Sequence, residues 1–336
     1  MIAAHRALAD DRTGQRDAGV DNHAPSNDAK GKAMLLVLGS VNADLLFKVK
    51  TLPAPGETVL CPSYEMAPGG KGSNQAAAAA KAGGDVSFIG HLGNDGHAPE
   101  LRRILAAAGM KIDGLATSPN PTAIAVIGID ENGENVIIVA SGANLDTSHE
   151  QIADERLYPG VTVLCQNEIR PEETFRILER ASAHGARTIL NLAPACRVPA
   201  PTLDSIDVLV VNEIEARMVA GDNDTPLEEL ARRLATTHHL TCVVTLGSAG
   251  AMALTAGGGL KVGALRINPV DTTGAGDTFV GVLAACLDEG MSLDAALHRA
   301  AVAGALSCEA VGAQSAQPLR TAIEARLGEL APPTPM

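Results

Sequence analysis

Nine consecutive residues carry the strongest chemical signal in the chain: Asp271-Thr-Thr-Gly-Ala-Gly-Asp277-Thr-Phe279, running into the apolar stretch VGVLAACLDEG. Small residues open a helix there. Gly274, Ala275 and Gly276 let backbone N–H groups turn towards one point, and the helix dipole adds positive potential. That suits a phosphoryl group gathering negative charge in a transition state. Asp277, just inside the helix, is a carboxylate able to take a proton from an attacking hydroxyl. The plainer alternative is an ordinary helix start with Asp in its first turn, and Gly-Ala-Gly alone favours it.

A second string, Gly69-Gly-Lys-Gly-Ser-Asn-Gln75, runs into an Ala-rich helical stretch. It is not a P-loop, because Lys71 is followed by Gly and position 65 is Glu. Its glycines allow close approach of a ligand, or simply pack as a turn. Asn74 both donates and accepts hydrogen bonds, which suits a sugar hydroxyl. The other reactive residues are less directed. The nine His show no metal-ligand spacing, and His238-His239 reads as surface. Arg102-Arg103 and Arg232-Arg233 read as solvated helix faces. The six Cys form no CxxC pair. They read as reduced, structural thiols of a cytoplasmic protein, with Cys165 and Cys242 in buried strands.

These residues need a scaffold, and the chain of 336 residues, 46% of them hydrophobic, is long enough to bury a sizeable core. A formal charge of −13 and few aromatics argue against nucleic-acid or anionic-membrane partners. No window reaches the about 18 apolar residues of a membrane span. Residues 1–33 are polar and mixed in charge, and read as a disordered extension. They lack an apolar core for a signal peptide, and their five Asp argue against a transit peptide. Met34 marks the start of the fold and is a second candidate start of translation.

From Met34, short apolar runs alternate with helical stretches. MLLVLG, VSFIG, VTVLC, RTILNLAP, DVLVVN and CVVTLG are Val/Leu/Ile-rich and not alternating, as parallel strands covered on both faces are. Helices are predicted over 73–82, 98–108, 171–183 and 227–236. The pattern predicts an α/β sandwich with ligands beyond the C-terminal strand ends. Residues 45–66 and 121–140 break it. Each reads as a hairpin, the second with a turn at Glu131-Asn132-Gly133, and together they predict a small antiparallel sheet serving as a lid or dimer surface. The domain is expected to close at 330, leaving 331–336 as a tail.

The order of Gly39-Ser-Val-Asn42-Ala-Asp44, the 69–75 string, Asn191-Leu-Ala-Pro-Ala195, Asn212-Glu-Ile-Glu215, Thr245-Leu-Gly-Ser-Ala-Gly250 and the 271–279 string resembles the ribokinase branch of the PfkB carbohydrate kinase family, over about residues 35–330. The resemblance implies a three-layer α/β/α sandwich with a mostly parallel central sheet and a small antiparallel β lid. It implies that Asn42, Asp44, Gly70, Lys71, Gly72, Ser73 and Asn74 hold sugar hydroxyls, with Glu168 as a further sugar carboxylate. Asn212 would face the ATP phosphates, and Glu215 would orient waters around Mg²⁺, a hard cation that keeps several waters. Asn212 also has the makings of a helix N-cap. Thr245, Leu246, Gly247, Ser248, Ala249 and Gly250 would form the nucleotide loop, with Gly276, Asp277 and Ala301 also against ATP. Asp271, Thr273, Ser307, Ala310, Gly312 and Ala316 align with a K⁺ site made mostly of carbonyl oxygens. The chain departs from the pattern at Ala316, where Ser is usual, at Ala301, where a related bacterial enzyme has His, and at Leu192, where Pro is frequent.

The implied activity is ATP-dependent phosphorylation of D-ribose at its 5-hydroxyl, with Asp277 as base and residues 274–277 as an anion hole, in a homodimer joined through the lid. Other acceptors (2-deoxyribose, uridine, adenosine) fit the same scaffold, although a nucleoside base would find few aromatics. A sugar-sensing module without catalysis is the reading from another class, and the intact Asp277 and Gly-Ala-Gly speak against it. A dinucleotide-dependent oxidoreductase lacks its GxGxxG after a strand.

Overall fold

The computed structural model describes residues 34–336; the extension expected over 1–33 lies outside the described residues. The strands are β1 (Met34–Leu38), β2 (Asn42–Lys48), β3 (Glu65–Gly69), β4 (Val86–Leu92), β5 (Lys111–Thr117), β6 (Ala123–Ile129), β7 (Asn135–Ala140), β8 (Val161–Cys165), β9 (Arg187–Asn191), β10 (Val208–Asn212), β11 (Thr241–Thr245), β12 (Ala251–Thr255), β13 (Gly258–Val262) and β14 (Thr334–Pro335). The helices are α1 (Lys71–Lys81), α2 (Ala98–Ala107), α3 (Pro171–Ala183), α4 (Ala200–Leu203), α5 (Glu213–Ala220), α6 (Leu227–His238), α7 (Ala275–Asp288), α8 (Leu293–Leu306) and α9 (Arg320–Arg326).

Ten strands form one sheet in the order β14-β13-β12-β11-β10-β9-β8-β1-β4-β5. The seven from β11 to β5 run parallel. β12, β13 and β14 add antiparallel. The unbroken apolar runs follow from burial on both faces. In β1, Leu35 and Val37 pack into a core with residues of α1, α2, α7, α8 and α9, while Leu36 and Leu38 pack into a second core with residues of α3, α4, α5 and α6. All four are fully buried, so the three expected layers are present.

The aliphatic, aromatic-poor composition shows its purpose between α1 and α7. A β-carbon on Gly281 of α7 would lie 2.3 Å from the Gln75 carbonyl of α1. The two helices are therefore closer than any side chain at 281 would allow, and small residues face each other across the contact.

The expected smaller sheet is present, in the order β3-β2-β6-β7. Its β2–β3 and β6–β7 pairings are antiparallel, and its central β2–β6 pairing is parallel. The first hairpin is displaced from its expected bounds. β2 starts at Asn42 rather than 45, and β3 is Glu65–Gly69, whereas Glu57–Leu60 is not a strand and Leu60 is exposed. Pro68 is tolerated in β3 because β3 is an edge, where a missing N–H costs little.

Three further expectations are corrected. Residues 331–336 do not hang free, since Thr334 and Pro335 pair with Lys261 and Leu260 of β13. His238 is not simply surface: its Nδ1 lies 2.7 Å from Asp204 and its side chain is 13% exposed. Arg102 donates to the carbonyls of Leu115 and Ala116 beneath its helix rather than standing in solvent. All six Cys are free, and Cys165 and Cys242 are buried in β8 and β11 as expected. No helix among the described residues is long and apolar enough to cross a membrane.

Candidate active site

The parallel strands deliver polar residues to one edge of the sheet. Gly39-Ser40 follow β1, Gln166-Asn167-Glu168 follow β8, and Asn191, Asn212 and Thr245 end β9, β10 and β11. Carboxyl ends of parallel strands are where open α/β sheets bind ligands. A cleft of about 160 Å³ opens there, lined among others by Lys71, Asn212, Glu215, Thr245, Gly274, Gly276 and Asp277. A larger cleft of about 900 Å³, lined by Arg187, Asp207 and Asp288 among others, lies at the opposite ends of the strands and holds none of the candidate residues.

Helix α7 starts from Gly274 in the left-handed conformation at φ 73°. The Ala275 N–H turns back to the Thr272 carbonyl at 3.3 Å. Gly276 and Asp277 follow in the first turn, where a helix has no carbonyl to offer its N–H groups. These donors and the dipole make a place for an anion. The Asp277 carboxylate is buried and bonded on both oxygens: Oδ2 accepts from Asn74 Nδ2 at 3.0 Å and Oδ1 from Gln75 Nε2 at 2.9 Å.

Lys71, at the start of α1, sits among acids. Burial pulls its ammonium down, but Asp277, Glu168 and Glu215 together outweigh burial and hold it above its usual value. Glu168 accepts from the Lys71 N–H at 2.8 Å and from Ser40 Oγ at 2.7 Å. Ser40 in turn accepts from the Gly72 N–H, and its carbonyl from the Ser73 N–H. Ser73 Oγ caps back onto the Gly69 carbonyl at 2.6 Å.

Asp44, on β2, is the most perturbed acid of the site. Burial first, then the charges of Glu168 and Asp277, push its carboxyl up to about 7. Its Oδ1 is buried without a hydrogen-bond partner. A buried acceptor left unpaired is costly unless a ligand satisfies it. Asn42 begins the same strand, and its Oδ1 accepts from Asn144 Nδ2 at 2.8 Å, while Asn144 Oδ1 takes the Val41 N–H.

Asn212 and Glu215 form a reciprocal capping box on α5. Asn212 Oδ1 accepts from the Glu215 N–H and Glu215 Oε2 from the Asn212 N–H, both at 2.8 Å. Burial outweighs that bond and nearby Lys71, so the Glu215 carboxyl is held above its usual range. One carboxylate lining a cleft beside an anion-accepting helix start fits the water-rich coordination of Mg²⁺. Thr245 to Gly250 link β11 to β12 through a single turn over Gly247–Ala249, and Gly247, Ser248 and Ala249 are exposed. Ala301 is buried in the apolar core on α8.

The segments around 271 and 312 are clasped. Asp271 accepts from the N–H groups of Thr273 and Gly312, both at 2.9 Å, and these bonds outweigh burial and keep its carboxyl low. Val270 and Asp271 donate to the Cys308 carbonyl, Ser307 Oγ to Gly304, and Ala316 N–H to Gly312, while Ala310 is extended. Adjacent main-chain carbonyls are the donors a large monovalent cation takes. Among the described residues no group of three or more His, Cys, Asp or Glu is arranged to hold a metal ion.

Ser40, Gln75 and Asn191 stand in the strings quoted above but were given no role there, and Asn144 and Gln314 were not noted at all. Gln314 Nε2 donates to Ser73 Oγ and Asn74 Oδ1, both at 3.0 Å. Only Gln75 carried a local sign: it closes a polar run directly before five alanines, and a polar residue at the start of a buried helix needs partners.

A buried carboxylate beneath the open N–H groups of a helix start, with a lysine and further acids around it, suits the chemistry of a kinase, phosphoryl transfer to a hydroxyl. Residues 32–320 match the pfkB family carbohydrate kinases, and the chain belongs to that family. It is 33% identical over 297 residues to a ribokinase of Lactococcus lactis, covering 88% of this chain and 97% of that protein. It is 32% identical over 291 residues to a deoxyribokinase of Salmonella typhi, covering 84% and 95%. The structure of Arabidopsis thaliana ribokinase complexed with ribose and ATP has a TM-score of 0.79 at 32% identity, covering 88% of this chain and 98% of that one.

Proposed function

We propose that this kinase transfers the γ-phosphoryl of ATP to the 5-hydroxyl of D-ribose, giving D-ribose 5-phosphate and ADP. The observation that carries the proposal is the Asp277 carboxylate, oriented by two amides at the helix start that lines the cleft. Asp44 and Glu168 lie near enough to one another and to Asp277 to perturb the Asp44 carboxyl, so several acceptors converge on a polyhydroxylated ligand.

In this mechanism Asn42, Asp44, the 70–74 segment and Glu168 hold the sugar hydroxyls. A vicinal diol meets the unpaired oxygen of Asp44. Asp277 takes the proton of the 5-hydroxyl as that oxygen forms its bond to the γ-phosphorus. The bond from phosphorus to the β–γ bridging oxygen breaks, and ADP leaves. The N–H groups of Gly276 and Asp277 receive the charge on the transferring group. Asn212 and the 245–250 loop hold the nucleotide, and Ala301 packs behind it. Glu215 would hold Mg²⁺ with ATP through waters, and the ion would supply charge neutralisation on the phosphates. The main chain at 271, 273, 307, 310, 312 and 316 would hold K⁺ as an activator. The smaller sheet closes over the sugar and excludes water.

Two further parts of the reading concern surroundings. β7 is the free edge of the smaller sheet, and Val136, Ile137, Ile138 and Val139 are each more than half exposed. A strand apolar on both faces supports a homodimer joined through the lid. Six free thiols support a reducing, cytoplasmic setting.

The test is ADP release from ATP and Mg²⁺, with and without K⁺, across ribose, 2-deoxyribose, fructose, adenosine and uridine. The highest kcat/KM with ribose supports the proposal. Preference for another acceptor keeps the kinase and overturns the substrate, and K⁺-independent rates overturn the cation site.

A further inference from the structure

The base of this site is held by a residue that no proposed substrate contact requires. Gln75 is fully buried on α1. Its Nε2 donates to Asp277 Oδ1 at 2.9 Å and to Asn191 Oδ1 at 2.8 Å, so both amide hydrogens are committed. Its Oε1 accepts from Gln166 Nε2 at 2.7 Å. A flipped amide would set Oε1 against two acceptor oxygens and Nε2 against a donor, so one orientation is favoured. Asn191 cannot relax that choice, because its own Nδ2 donates to the Val210 carbonyl at 3.1 Å.

The bonds therefore run outward from Gln75 on two sides: through the Asn191 amide at the end of β9 to a backbone carbonyl of β10, and directly to the carboxylate in α7. Gln166, just after β8, steadies the far side. Gln166 and Asn191 are buried like Gln75. Buried amides with satisfied bonds form a stiff network, and a network is informative where it ends. On its α7 side this one ends on a single oxygen of the group that must meet the sugar hydroxyl. With Oδ1 held by Gln75 and Oδ2 by Asn74, the carboxylate cannot turn about its Cβ–Cγ bond without losing charge-assisted bonds.

We propose that Gln75 is a positioning residue: it sets the direction in which Asp277 presents its lone pairs to the acceptor hydroxyl. This rests on the assignment of Asp277 as the base. Gln75 touches neither substrate, so its effect belongs in the chemical step.

The experiment compares Gln75→Met, Asp277→Asn and the double variant with the wild type in steady-state assays with ribose and ATP. Met keeps the length of the side chain and removes its hydrogen bonds. The expected result is a fall in kcat of about 10- to 100-fold, the size of a misplaced reacting group. The KM for each substrate stays within about twofold, because nothing in the contacts to either changes. In the Asp277→Asn background, Gln75→Met costs no further activity, since there is no base left to aim. A loss carried by KM, an undiminished loss in that background, or wild-type kcat overturns the proposal. Wild-type turnover in Asp277→Asn overturns the base assignment beneath it. If Gln75→Met does not fold, Gln166→Met decides: it frees Gln75 Oε1 while leaving the base and its donors in place. Gln166 already has one buried oxygen without a partner, so little else is lost. A fall in kcat of about threefold or more at constant KM supports positioning, and unchanged kcat overturns it.

Discussion

The Asp44 carboxylate lies where a β-carbon on Gly69 would have to stand: that carbon would be 2.0 Å from Oδ2 and 2.2 Å from Oδ1. The two residues belong to paired strands, with Asn42 opposite Gly69 and Asp44 opposite Ala67. Gly69→Ala must therefore push the carboxylate away from its place. The expected outcome is a rise of about 10- to 100-fold in the ribose KM, matching loss of charged hydrogen bonds, with ATP KM little changed. Steady-state kinetics in both substrates checks it, and an unchanged ribose KM would remove Asp44 from the sugar contacts.

With Asp44 as a sugar contact, sugar affinity is expected to depend on pH near neutrality. Its carboxyl is pushed up to about 7 by burial and by Glu168 and Asp277. Below that value it is protonated and gives up one acceptor; above it, both oxygens accept. The ribose KM is expected to fall as pH rises through about 7, and Asp44→Asn is expected to flatten the profile. The sign for stability is opposite. A carboxyl raised on folding favours the folded state at low pH, and that contribution is lost as pH rises from the unfolded value of 3.8 through about 7.

Glu173 works in the other direction. It is 4% exposed and accepts from His149 Nδ1 at 2.6 Å, from the His149 N–H and Ser148 Oγ at 3.0 Å, and pairs with Arg170 at 3.1 Å. Burial opposes ionisation, yet the bonds from His149 and Ser148 prevail and bring the carboxyl down to about 2. Its stabilisation is complete above 4.5 and is lost as pH falls from there towards 2. Thermal melts of Glu173→Gln should show a lower Tm at pH 7 and a shallower decline between pH 4.5 and 2. A decline as steep as the wild type would assign the acid sensitivity elsewhere.

The exposed strand β7 tests the assembly. Ile137 and Ile138 point to opposite faces of the smaller sheet, and both are more than half exposed. Ile137→Lys with Ile138→Glu should turn a dimer into monomers in sedimentation, with the melting of the large domain scarcely altered. An unchanged mass would place the contact elsewhere or leave the chain monomeric.

Much of the architecture was legible because its physical signals are local. Val/Leu/Ile runs without alternation announce strands buried on both faces, and the strand end at Asn212 fell where its run stops, while Asn191 and Thr245 end their strands before the runs RTILNLAP and CVVTLG do. Strand β3 of the smaller sheet was hidden because Pro68 contradicts a strand unless it is known to be an edge, which is a property of the sheet and not of the segment. The 331–336 tail looked free because a two-residue strand has no period to detect. Within the site, Asp277, Lys71 and Asp44 stand in recognisable strings. The pairings that support them are not written in those strings: Ser40 reaches Glu168 across 128 positions and Gln314 reaches Asn74 across 240. Such pairings exist only after the chain has folded, and nothing in the spacing of the residues encodes them.

Strand β1 of the large sheet passes into β2 of the smaller one across only Gly39, Ser40 and Val41. This makes chain length itself a functional parameter. One residue inserted between Leu38 and Asn42 would shift β2 by one step, and a strand with period two would then turn Asp44 to the other face. The same insertion between Lys48 and Glu65, where the connection is long and mostly exposed, would be absorbed without moving a single site residue. Length variation in this fold is thus confined by geometry to one side of the lid.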